Sequence, residues 1–422
     1  MDFPDGFLWG VSTSAFQIEG SLHADGRGPS IWDDFPSERG ETGAVACDHY
    51  RRWREDVELI ASLDVNAYRF SLAWPRILPD GRTVEQRGLD HYSRLIDALL
   101  ERGIEPVPTL YHWDLPASLD WRERDTVERF AEFAAVCFDA YGDRVNRWLT
   151  INEPWVVGLL GYLHGLHAPG ISGDLLGEAT VFHHLLLAHG RVAPSAPGEV
   201  GIALSLYPHY PLTPEDADAA RLSDGYVNRW FLDPVLRGAY PDDMREIYEQ
   251  LLGPLAFVHD GDEREIGSRC DVLGVNYYAR RVVEAAAGDG PFPWRVVVPG
   301  DAPLTEAGTE ITPHAFTDLL VRLHEDYDVP LLVTENGAVY ADAPHDAKRI
   351  EFLREHLAAV HAAIERDADV RGYCHWSLMD NFEWKLGYAQ RFGLVHVDYD
   401  TQVRTVKDSG REYARIAREN AL

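Results

Sequence analysis

Eight short β-rich runs recur along the chain with helical segments between them, and this alternation constrains the fold more than any other feature. The runs are Phe7–Ser12, Ala67–Ala73, Pro106–His112, Trp148–Asn152, Val200–Leu206, Val272–Tyr278, Leu331–Thr334 and Gly372–Ser377. Between them apolar residues fall at helical spacing, most clearly in Leu89–Leu100, Val127–Tyr141, Phe316–Tyr327 and Ala347–Ile364. Strand followed by helix eight times predicts parallel βαβ units, which at that count close into an α/β fold of the (β/α)8 TIM-barrel type. A doubly wound open sheet would want a glycine-rich phosphate turn after the first strand, and GVSTSAFQIEG is not one. A plain barrel takes about 250 residues, which leaves roughly 170 of the 422 to place. Stretches leading into strands are short (Arg102–Glu105, Asp328–Pro330), whereas those following strands are long (Thr13–His49, Glu153–Asp174, Ala279–Thr312, Leu378–Thr405). The surplus, with the Gly/Pro-rich piece Gly288–Pro303, is therefore expected at the C-terminal mouth of the barrel. Residues 1–422 read as one domain.

Charge narrows the partners. The chain has 69 Asp and Glu against 39 Lys and Arg, a formal charge of −30. Its only lysines are Lys348, Lys385 and Lys407. Nucleic acid and anionic membrane surfaces would be repelled, so a small neutral molecule is the expected partner, with oligomeric state left open. The acid surplus fits either a GC-rich genome or a salt-tolerant surface. The first residues carry no basic stretch followed by an apolar one, and no window reaches the length of a membrane span. Cys47, Cys137, Cys270 and Cys374 are scattered without CxxC spacing, as in reduced thiols of a cytoplasmic protein.

Strands that face a barrel mouth should end in apolar or small residues unless something is bound there. Here they end in Arg69, His112, Asn152 with Glu153, Asn276 with Tyr278, Glu335 with Asn336, and Trp376. One such residue could be a satisfied hydrogen bonder, but six strands bringing polar and aromatic ends to one mouth indicate a site. Glu153 and Glu335 have no metal-ligand spacing around them, and no nucleophile elbow or phosphate loop occurs. Paired carboxylates among donors and aromatic rings, with no cofactor and no metal, suit glycosidic bond cleavage. His164, His167, His183, His184 and His189 invite a metal reading, but adjacent side chains on a helix diverge and no carboxylate recurs four residues on. Asp114 and Glu19 read as structural or supporting carboxylates.

At these residues the sequence resembles glycoside hydrolase family 1, the retaining β-glucosidases. The likeness is carried by TINEPW (Thr150–Trp155) and VTENG (Val333–Gly337). It extends through Phe7–Gly20, Gly26–Asp33, Tyr68–Ile77, Thr109–Pro116, His183–Gly190, Trp230–Pro234, Leu273–Tyr278 and Trp376–Tyr399. The resemblance implies that Glu335 is the nucleophile and Glu153 the acid that becomes the base, with Arg69 and Tyr278 holding the nucleophile's carboxylate. It implies that Gln17, His112, Asn152, Asn276 and Glu383 bind the sugar hydroxyls, that Trp376 is the floor under the ring and that Trp384 closes the inner end. Trp155 and Phe392 would flank the leaving group. Retention of configuration requires the two carboxyl groups about 5–5.5 Å apart.

The resemblance implies an exo-acting enzyme that releases terminal β-D-glucosyl residues. Galactose or fucose specificity and transglycosylation remain open beside it. A phospho-β-glycosidase is disfavoured because Glu383 would repel a phosphate, leaving Lys385 as the only residue in its favour. A non-catalytic sugar-binding relative would have lost one of the two glutamates. The chain departs from the family pattern at AGTEIT, which places Thr309 where a tryptophan is usual, and the segment PASLDWRERDT is shortened ahead of Trp121. Both changes fall on the leaving-group side and predict a wider entrance there.

Overall fold

In a computed structural model, which describes residues 1–286 and 291–422, all eight runs are strands of one closed parallel barrel. They are β1 (Leu8–Ser12), β2 (Ala67–Ser71), β3 (Glu105–Tyr111), β4 (Arg147–Asn152), β5 (Glu199–Ser205), β6 (Val272–Asn276), β7 (Leu331–Asn336) and β8 (Val370–Trp376). Closure runs through β1, whose Gly10 lies opposite Ala67 of β2 and whose Ser12 lies opposite Trp376 of β8. Ala67, Val107, Leu149 and Ala203, with Leu8 against them, form a small cluster that takes one residue from each of β1 to β5. Such inward residues fill a barrel so that it is a packed core and not a pore.

Helices cover the outside. They include α1 (His49–Ala61), α2 (Gln86–Glu101), α3 (Asp125–Tyr141), α4 (Leu175–Val192), α5 (Trp230–Arg237), α6 (Pro313–Tyr327), α7 (Ala347–Ile364) and α8 (Asp408–Glu419). In α2 the buried residues Leu89, Tyr92, Leu95, Ile96 and Leu99 recur at three- and four-residue spacing, so one stripe faces the strands. The Glu85 side chain caps that helix by accepting from the Arg87 backbone N–H. The three histidines of α4 have protein partners. His183 bonds Asp262 and Tyr240, His184 bonds the Trp121 carbonyl, and His189 bonds Thr150.

The mouth holds more regular structure than its composition suggests. Residues 288–290 of the Gly/Pro-rich piece lie outside the described residues. Within the rest, Trp294–Val297 pairs antiparallel with Arg281–Ala285, which pairs with His209–Pro211 to make a three-stranded sheet. WRVV is β-branched enough to pair despite flanking prolines and glycines.

Candidate active site

The barrel geometry itself turns the two glutamates into the mouth. Pairing of β7 with β6 shifts register between Val333 and Glu335, so Glu335 lies opposite Asn276 on an irregular stretch at the strand's end. The sequence places the end of that strand at Thr334, two residues before its observed end at Asn336. Glu153 follows β4 directly and has φ +50 and ψ 64, a left-handed conformation that a non-glycine residue adopts only when its surroundings impose it. Both carboxyls border a cavity of about 480 Å³ together with His112, Tyr278, Trp376, Glu383, Trp384 and Phe392.

A chain of hydrogen bonds joins the glutamates from below. Arg69, fully buried on β2, donates through one nitrogen to Glu335 Oε1 at 2.5 Å and through the other to Asn152 Oδ1 at 2.6 Å. Arginine only donates, so the Asn152 atom facing it must be the carbonyl oxygen. That leaves Asn152 Nδ2 as donor to His112 Nε2 at 3.2 Å and places the imidazole proton on Nδ1, which has no protein partner. Asn276 Nδ2 donates both to Asn152 Oδ1 (3.1 Å) and to Glu153 Oε1 (2.7 Å). Tyr278 completes the set by donating to Glu335 Oε2 at 2.7 Å.

Electrostatics separate the carboxyls. Glu153, Glu335 and Glu383 share the cavity, and only Glu335 is bonded to the Arg69 cation. Burial, and then the Glu335 charge, push Glu153 well above the usual carboxylate range, against the Asn276 hydrogen bond and the Arg69 charge. Burial and Glu335 likewise push Glu383 up to about 8, while its bond from Gln17 works the other way. The Tyr278 phenol is held protonated far above its ordinary value by burial and by the Glu335 and Glu153 charges, so it stays a donor. Burial, reinforced by Arg69, keeps His112 neutral. A protonated carboxyl, a cation-bound carboxylate and neutral donors around aromatic walls can protonate one oxygen while attacking the carbon that bears it.

The family model described as Glycosyl hydrolase family 1 matches residues 1–422. The chain belongs to glycosyl hydrolase family 1. Among its family 1 relatives, Beta-glucosidase A of Thermotoga maritima is 43% identical, with 100% of this chain and 98% of that protein covered. A Bifunctional beta-D-glucosidase/beta-D-fucosidase of Bifidobacterium breve is 44% identical, with 100% and 99% covered. The family 1 β-glucosidase structure from Thermotoga maritima in complex with isofagomine lactam superposes with a TM-score of 0.95 at 43% identity, covering 100% of this chain and 99% of that one. This family 1 chain is therefore a glycoside hydrolase with the barrel expected of it.

Not every anticipated site residue of this family 1 chain reaches the cavity. Arg69, Asn152 and Asn276 lie beneath it, and Gln17 is fully buried with its amide donating to Asn381 Oδ1, the Phe382 carbonyl and Glu383 Oε2. Gln17 thus orients Glu383 from behind. Trp155 is 7% exposed and is not among the lining residues; Tyr207 lines the wall and meets the Trp155 ring edge-on at 6.1 Å. Phe392 lines the wall and packs edge-on against Tyr278 at 6.2 Å. Trp376 borders the cavity with His112 stacked parallel at 5.9 Å, and Trp384 packs on Phe16, Trp32 and Trp113. Trp113, Tyr207 and Gln390 also line the cavity and were missed. The strand-end criterion, applied to β5 as it was to six other strands, would have found Tyr207 two residues past Ser205. Of the two supporting carboxylates, Glu19 is bonded to Arg76 and Tyr92, whereas Asp114 is buried with neither oxygen bonded to protein.

Glu383 is pushed towards its neutral state, so its charge is a weaker barrier to phosphate than its sequence suggests. Lys385 is the better reason to disfavour phosphate: its ammonium pairs with Glu38 at 3.2 Å and it does not line the cavity.

Proposed function

We propose that this chain is a retaining, exo-acting β-glucosidase in which Glu335 attacks the anomeric carbon and Glu153 first protonates and then deprotonates. The carrying observation is the pair of glutamates in one cavity with opposite settings: Glu335 on a guanidinium and a phenol, Glu153 pushed towards its protonated form. In the first step a Glu335 oxygen forms a bond to the sugar carbon as the bond to the leaving oxygen breaks and takes the Glu153 proton. In the second, Glu153 removes a proton from water, whose oxygen displaces Glu335 from the same face that the leaving group vacated. Trp376 is the platform for the sugar ring, Glu383 and His112 Nδ1–H serve its hydroxyls, and Asn152 holds the His112 ring in place from beneath. The whole of residues 1–422 works as one catalytic unit, and Phe392, Tyr207 and Trp155 form and back the leaving-group side.

β-D-Fucosides are the second substrate class, favoured by the Bifidobacterium breve relative's name. Four cysteines without disulfides support a cytoplasmic setting, where cellulose-derived oligosaccharides are the proposed source of substrate. Among the described residues no helix is long and apolar enough to cross a membrane. A panel of nitrophenyl β-D-glucoside, galactoside, fucoside and 6-phosphoglucoside tests specificity. The glucoside and fucoside should turn over best and the phosphorylated sugar at least about a hundredfold more slowly; a phosphorylated sugar as best substrate would overturn the assignment.

Two further outcomes follow from local contacts. Asn276 bonds the charged form of Glu153, so Asn276→Ala should raise the Glu153 pKa further and keep the acid protonated to higher pH. The basic limb of kcat/KM should then move upward, and an unmoved or lowered limb would contradict the assignment. The entrance carries the small side chains Thr305, Ala307 and Thr309. Thr309→Trp should add a stacking surface and lower KM for an aryl glucoside by about threefold with kcat little altered; an unaltered KM would count against a widened leaving-group side.

A further inference from the structure

With 69 acids against 39 bases, arginine charges in this protein are nearly all matched. Among the described residues five arginines form no ion pair with a carboxylate; Arg39, Arg54, Arg94 and Arg264 are exposed, and Arg281 alone of the five is partly buried. Its neighbour Arg280, by contrast, pairs with Glu310 and Asp301. The Arg281 guanidinium carbon lies 4.6 Å from the Trp155 ring centre and 4.4 Å from that of Tyr207.

Those contacts fix where the charge sits. Trp155 is two residues past Glu153, and Tyr207, two residues past β5, lines the catalytic cavity. Arg281 opens the middle strand of the small mouth sheet, opposite His209. The guanidinium thus lies against the Tyr207 and Trp155 rings on the Glu153 side of the mouth; Arg281 itself does not border the cavity, and Tyr207 stands between the two. Ring stacking holds a guanidinium by its face and leaves its in-plane N–H groups able to receive a carboxylate as a bidentate pair. A half-buried cation without an anion is costly, and no described residue supplies one.

We propose that Arg281 determines leaving-group specificity, receiving a carboxylate carried by the leaving group, so that β-glucosides of acidic aglycones are favoured over their neutral esters. The proposal rests on Glu153 marking the leaving-group side. The −30 charge opposes an approaching anion, but at about 0.15 M salt fields fade over roughly 8 Å and the nearest charges decide.

The test compares 4-carboxyphenyl β-D-glucoside with its methyl ester at about 0.15 M NaCl. In R281Q the acid-to-ester ratio of kcat/KM should fall roughly fivefold or more, through KM of the acid, and R281K, which keeps the charge but not the planar fork, should restore only part of it. Equal losses on both substrates, the mark of a purely structural clamp, would overturn the proposal. Product inhibition needs no variant: 4-hydroxybenzoate should inhibit the unaltered protein more tightly than its methyl ester, and equal or weaker inhibition would overturn the proposal as well. Failure of the unaltered protein to hydrolyse either glucoside or nitrophenyl glucoside would strike the glycosidase assignment instead.

Discussion

Glu335→Gln should reduce kcat for nitrophenyl β-glucoside by about five to six powers of ten, the scale seen when a covalent nucleophile is removed. The loss is expected to be chemical and not structural. Arg69 keeps its bond to Asn152 Oδ1 and Tyr278 stays packed against Phe392, so the melting temperature should move little. Glu335→Gly sharpens the test by opening space where the carboxylate stood. Azide entering that space attacks the anomeric carbon from the face Glu335 uses and should release an α-glucosyl azide, since only one displacement occurs. Activity retained by the Gln variant, or a β-configured azide product, would remove Glu335 from the nucleophile's role.

Glu153→Gln should produce a loss that depends on what is leaving. An alkyl or sugar oxygen needs a proton as its bond breaks, and losing the acid should cost about 10³–10⁴ in kcat/KM. A dinitrophenolate departs unaided, so its first step should be nearly preserved. Burial and the Glu335 charge hold the Glu153 carboxyl high, so in the unaltered protein the acid form persists through neutral pH and activity declines as pH rises past that raised value. The variant should lack this basic limb. Equal losses for good and poor leaving groups, or an unaltered basic limb, would show that Glu153 is not the proton donor.

Much of this was legible because β-strands and helices write their periods locally. All eight barrel strands lie where alternating and β-branched runs predicted, and α7 has the predicted limits Ala347–Ile364. The meeting of Glu153 and Glu335 at one mouth was legible for the same reason, since polar residues at several strand ends make sense only there. What the sequence withheld depends on contacts made across the fold. The left-handed conformations of Trp113, Glu153 and Trp384, at φ +81, +50 and +47, are imposed by surroundings that no local pattern records. Tyr207 lies in none of the recognised motifs and owes its place on the wall to the chain's path after β5. Gln17 was expected to touch sugar, but its amide is already engaged by Asn381, Phe382 and Glu383. Trp155 was expected on the leaving-group wall and lies one layer back, with Arg281 on its ring. Formal charge also misled at Glu383, whose burial beside Glu335 moves it towards neutrality.

The central claim is double displacement through Glu335, and the configuration of the first-formed sugar reports on it directly. Proton NMR recorded during the first minutes of nitrophenyl β-glucoside hydrolysis, before mutarotation, should show β-glucose appearing first and α-glucose only later. If α-glucose appears first, water attacks in a single displacement, and the covalent role of Glu335 is wrong.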